Sequence, residues 1–143
     1  MNPTVVTTVV GGVLVAGAVL VWNYVPQQRR LARFHNRAEL SPDAIYSQFF
    51  ATKNLPKEFV CELWNEVAAL LRVPPGKLRP SDRFHKELAP VEGWEFDDDI
   101  GEVYWAAERR LKKLGLKIEH SNVHTLGDYV EFFCKLQPAK SAL

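Results

Sequence analysis

Three consecutive aspartates, Asp97, Asp98 and Asp99, stand in the stretch GWEFDDDIGEVYW of this 143-residue chain. Clustered carboxylates can hold a divalent cation, recognise a cationic partner, or accept hydrogen bonds from the free N–H groups at a helix start. A hard cation wants six or more oxygens in a defined geometry. Successive side chains at a helix start diverge, and no EF-hand spacing is present, so no metal is expected. Helix initiation is the first reading. Partner recognition through exposed negative charge is the second, and it adds Asp98 and Asp99 to the candidate interaction residues.

Catalytic chemistry has less to work with. His35, His85, His120 and His124 are scattered, with no H-E-x-x-H spacing, and neither a G-x-S-x-G elbow nor a P-loop occurs. Cys61 and Cys134 lie inside apolar helical patterns without the spacing of a metal knuckle or redox pair. They are expected to be reduced, packed thiols. An enzyme is not expected, and no cofactor is implied.

One residue near the aspartates is surplus to a core. On a helix beginning at Asp99, Trp105 falls about 140° from Ile100, off the apolar stripe and beside Glu102 and Arg109. A tryptophan set among charges is the kind of side chain that anchors interfaces. The alternative is that it packs beneath the loop containing Trp94 and Phe96, or against a helix outside the core bundle.

The elements that would position these residues follow from the charge map. No charged residue precedes Arg29, and all 17 acidic residues lie between Glu39 and Glu131. Residues 4–25 are uncharged and mostly apolar, long enough to cross a bilayer. Trp22 and Tyr24 stand where an interfacial belt would lie, and Arg29, Arg30, Arg33 and Arg37 follow. The positive-inside rule then predicts a single-pass membrane protein with its C-terminal part in the cytoplasm. A cleaved signal peptide fits less well, because no Lys or Arg precedes the apolar run. The same arginines are expected to reach anionic headgroups of the bilayer.

Beyond residue 38 the chain carries 14 basic against 17 acidic residues, a net of −3. Nucleic-acid binding is therefore not expected, since it needs clustered cations to displace counterions.

Four helices are expected in this part, and no strand. Ser41 caps a short helix with Pro42 in its first turn, running to about residue 52. A longer one carries Val60, Leu63, Trp64, Val67, Leu70 and Leu71 on one face and stops at Pro74 and Pro75. Leu78 and Phe84 plug the following connection into the core. Residues 99–114 form the next helix, with Ile100, Val103, Tyr104, Ala107, Leu111 and Leu114 as its apolar stripe and Gly115 as its stop. Thr125 and Asp128 resemble a capping box for a last helix whose buried face is Leu126, Tyr129, Val130 and Phe133.

The order of these parts resembles the acyl carrier protein family over about residues 56–134. VPPGKLRPSDRF, the helix ending LGLKI, and TLGDYVEFF carry the resemblance. It implies a small carrier-like helical bundle. It also implies a position for 4′-phosphopantetheine, which carriers attach to a serine in D-S-L at a helix N-terminus. Matching DDI to that motif sets Asp98 before Asp99, Asp99 at the serine and Ile100 at the leucine. A carboxylate cannot form the serine phosphodiester, and Ser81 and Ser121 lie in other loops. Carriers are usually strongly acidic along this helix, whereas here acid is confined to its first turn.

The expectation is an all-α chain: a transmembrane anchor over 1–25, a basic linker over 26–40, a carrier-like helical domain over 41–137, and a tail over 138–143. Its expected role is a membrane-anchored, non-catalytic protein-interaction module that uses Asp98, Asp99, Glu102, Trp105 and Arg109 toward an unknown protein partner. The second function carried forward is a membrane-tethered acyl carrier serving lipid or acyl-chain metabolism.

Overall fold

A computed structural model describes residues 3–91, 99–117 and 122–137, without the side chains of 3–12, 23 and 26. Five α-helices follow one another: α1 Pro3–Ala32, α2 Pro42–Phe49, α3 Lys57–Leu71, α4 Asp99–Lys113 and α5 Leu126–Leu136. Among the described residues there is no strand; a lone antiparallel bridge joins Arg83 to Thr125. The chain is all-α, as its periodicity predicts.

Local signals set most boundaries. Ser41 Oγ accepts from the Ala44 N–H at 3.2 Å, with Pro42 in the first turn of α2. A single 3₁₀ turn, Ala51–Lys53, follows α2. Helix α3 ends on Arg72 in a left-handed conformation. Gly115, at φ 72°, stops α4, and the Leu116 N–H reaches back to the Leu111 carbonyl at 2.9 Å. A residue lacking Cβ takes that backbone shape without steric cost. The capping box at α5 is complete: Thr125 Oγ1 accepts from the Asp128 N–H, and the Asp128 carboxylate accepts from the Thr125 N–H.

The core lies between α3, α4 and α5, with α2 across one end. Val60, Leu63, Trp64, Val67 and Leu71 of α3 meet Leu126, Tyr129, Val130 and Phe133 of α5, and Leu78 is fully enclosed. Trp64 stands edge-on to Phe50 and donates its indole N–H to the Pro75 carbonyl at 2.9 Å. That bond satisfies the one polar atom of a buried ring. Phe84 packs edge-on against Tyr129.

Helix α4 departs from its expected stripe. Val103 and Leu111 are buried, but so are Ala106 and Asp99, while Tyr104 and Leu114 are exposed. Burial of Asp99 turns the helix toward the face through residues 99, 103 and 106, and that rotation carries Tyr104 outward. The small Ala106 lets α4 approach α3 closely.

The segment expected as a basic linker, helical after Pro26, is helical and in addition packs on the bundle. Helix α1 runs unbroken to Ala32, and tight turns carry the chain on to Arg37. Phe34 is buried in the main core. Three of the four arginines expected at the bilayer surface bind the bundle instead. Arg30 is buried, and Arg33 Nη1 donates to the Ala89 carbonyl at 2.7 Å. Arg37 forks onto Asp82 at 2.7 and 2.8 Å and stacks on the Phe34 ring. Hydrogen bonding to Asp82 raises the Arg37 pKa further above its ordinary value, against the pull of desolvation. Arg29 and Arg33 are exposed, Arg33 while bonded to the bundle.

Upstream, α1 leaves the bundle. Val13, Leu14, Val15, Val19, Leu20, Val21, Trp22 and Tyr24 are all exposed. Among the described residues no helix is long and apolar enough to cross a membrane. Much of the expected span falls on residues 3–12, whose side chains lie outside the described residues.

Candidate functional site

The aspartate stretch is where three elements converge. Asp97 and Asp98 lie outside the described residues. Asp99, at the N-terminus of α4, is only 4% exposed, and Arg30, from the end of α1, is 2% exposed. Arg30 Nη1 donates to Asp99 Oδ2 and also to the Leu71 carbonyl at the end of α3, at 3.1 Å. One guanidinium thus holds together the last turn of α3, the first turn of α4 and the end of the N-terminal helix. Asp99 is therefore withdrawn from the exposed partner-binding set, because its carboxylate is enclosed and already ion-paired.

That convergence fixes direction. At the far end of α4, Arg110 contacts Glu66 through Nε at 3.1 Å and Glu62 through Nη2 at 3.2 Å. Glu62 and Glu66 lie in the first ten residues of α3, and Leu71 lies at its end, so α3 and α4 run antiparallel. Burial works against the charge on Arg110, but Glu66 and Glu62 outweigh it and its pKa rises. The guanidinium also lies over the Phe59 ring.

The remaining expected interaction residues are at the surface. Glu102 and Arg109 are exposed, and Trp105 is 56% exposed with Tyr104 beside it at 54%. Trp105 is not packed against a helix outside the core bundle, as the alternative reading had it, and Trp94 and Phe96 of the loop lie outside the described residues. Trp105, Arg109 and Lys113 recur every four residues, so they form one row along α4. Arg109 and Lys113 of this row line a groove of about 350 Å³ between α3, α4 and α5, and Trp105 stands one helical turn before Arg109. Phe59, Ala106, Leu114 and Phe133 give its apolar lining, Arg109, Arg110 and Lys113 its cations, and Glu62 and Glu66, both bonded to Arg110, its anions.

The titratable and thiol side chains of the described residues stand as follows. Among the described residues no group of three His, Cys, Asp or Glu side chains could hold a metal ion. Burial pushes the Cys134 thiol up to about 11, which suppresses the thiolate, and Cys61 is half-buried on α3. His35, His85 and His124 are exposed.

Sequence reading missed Arg30, Asp82 and the Glu62–Glu66–Arg110 bridge. A signal existed for the first: Arg30, Arg33, Phe34 and Arg37 share the three- and four-residue spacing of a helix face meant for packing. The chain matches no known protein-family model, none of the curated proteins and no solved structure.

Proposed function

We propose that the chain is a membrane-anchored, non-catalytic interaction module with a carrier-like helical bundle facing the cytoplasm. The observation carrying this reading is the burial of Asp99 against Arg30. The residue that the family resemblance matches to the carrier serine has no hydroxyl and is almost wholly enclosed. In its place stands an ion pair that fastens α1 to the bundle. Position 99 serves attachment of a helix, not of a prosthetic arm.

The anchor is supported by the exposed apolar surface of α1 from Val13 to Tyr24. A helix apolar on all sides has no stable place in water unless something covers it. The uncharged run extends upstream through residues 4–12, giving a length that suits hydrocarbon. The interaction role is supported by the exposed Trp105 and Tyr104 among charged neighbours on α4.

The test is intact mass after co-expression with a phosphopantetheinyl transferase. An unmodified chain is expected. A gain of the pantetheine arm would replace this reading with the tethered-carrier one. Alkaline extraction of membranes tests the anchor, and the chain should stay in the pellet.

A further inference from the structure

We infer that the groove beside Trp105, Arg109 and Lys113 receives an acidic amphipathic helix of a partner protein. The inference rests on the interaction-module reading and gives it a chemistry.

Charge decides the sign of the partner. Arg110 is neutralised by Glu62 and Glu66 within the chain. Among the described residues Arg109, Lys112 and Lys113 make no ion pair, so the cations left along this edge face outward. The apolar lining from Phe59, Ala106 and Phe133 lies beside them. An apolar floor with a cationic rim complements a helix that is apolar on one face and acidic along its edge.

Shape decides the class. The row from Trp105 to Lys113 spans about 12 Å at 1.5 Å per residue, roughly two turns of a docked helix. The groove admits the side chains of one helix face while its rim cations stay in solvent. A small anion would need most of its surface enclosed, which this open surface does not provide. Nor does position favour a bilayer: Lys113 lies fourteen residues along α4 from Asp99, about 21 Å from the point where α1 joins. Headgroup charge is screened within about 8 Å at physiological salt.

The test uses the full chain in nanodiscs of zwitterionic lipid, with empty discs as baseline. Two fluorescein-labelled helical peptides of about 15 residues are compared by anisotropy. Both carry leucine at helical spacing, one with glutamate and the other with lysine at the remaining positions. The glutamate peptide should bind at least about tenfold tighter than the lysine peptide. Arg109→Glu with Lys113→Glu should abolish that preference, and Trp105→Ala should weaken binding about tenfold. All three substitutions are at exposed positions, so circular dichroism should be unchanged.

Equal binding of the two peptides, or full binding by the doubly reversed variant, overturns the inference. So does protection from acrylamide, on exchange into phosphatidylglycerol discs, of the part of the tryptophan fluorescence that Trp105→Ala removes, which would assign the face to lipid. Failure of the peptide with an unmodified intact mass removes the groove and leaves the module reading standing. A pantetheine adduct removes the module reading itself.

Discussion

Removing either member of the Arg30–Asp99 pair should cost far more than removing both. Asp99→Ala leaves a guanidinium almost fully enclosed and takes away its ion-pair partner, while the Leu71 carbonyl still accepts from it. Arg30→Ala leaves a carboxylate in the same position and frees that carbonyl. An uncompensated buried charge costs about 3–5 kcal/mol, a large share of the roughly 5–15 kcal/mol that holds a domain folded. With a urea dependence of about 1.5 kcal/mol per molar, each single variant should unfold about 2–3 M earlier. The double variant Arg30→Met/Asp99→Leu trades the pair for apolar side chains of similar reach. It should fall within about 1–2 kcal/mol of the natural chain. The assay is urea titration of the full chain in neutral discs, followed by the helical circular dichroism signal. The coupling between the two sites should be at least about 3 kcal/mol. If the double variant loses the sum of the two single losses, the pair is not what joins α1 to the bundle. Shifts below about 0.5 M for the singles would refute the burial itself.

Further outcomes follow from other residues. Thr125→Ala should cost about 1 kcal/mol through loss of the cap, read by urea titration. Burial raises the Asp128 pKa, but the N–H groups of His124 and Thr125 outweigh it and the net shift is downward. Its contribution is therefore complete above the ordinary carboxylate value near 4 and is lost as pH falls through the lower folded value; acid titration of Asp128→Asn should lack that step. Tyr129 is buried, its hydroxyl has no hydrogen-bond partner among the described residues, and desolvation pushes its pKa up to about 12. Tyr129→Phe should be neutral or stabilising, because it removes an unsatisfied polar atom; a loss above about 1 kcal/mol would show a hidden partner. At Gly76, an added Cβ would lie 2.5 Å from the Leu40 carbonyl oxygen. Gly76→Ala should cost about 1–3 kcal/mol by overpacking, read in the same titration.

The sequence disclosed what is local and hid what is distant. The Ser41 cap, the Thr125–Asp128 box, the Gly115 stop and the apolar face of α3 are each written within a few neighbouring residues, and each formed. Arg30 and Asp99 are 69 positions apart, and nothing in either neighbourhood names the other. The arginines at 30, 33 and 37 read as a topology signal because charge beside an apolar run is the commoner use. Their spacing also fits a packed face, and the bundle uses them that way. The stripe of α4 misplaced Tyr104 and Leu114 for a related reason. Hydrophobicity alone orients a helix only when no charged residue is taken inside, and Asp99 is. Trp105 was legible because its angle from that stripe survives the rotation.

Helix α1 has a mechanical consequence under the anchored reading. It stays helical from its exposed apolar stretch, through Pro26, to an arginine locked inside the bundle, so no loop separates the two. The bundle then cannot swivel freely, and its azimuth about the bilayer normal is written in the number of residues between Tyr24 and Arg30. One residue inserted there would turn the groove by about 100° and lift it about 1.5 Å, leaving every contact within the bundle intact. Four would bring it back to nearly its starting bearing, about 6 Å higher. Such a chain tells its partner where to stand by counting helical turns.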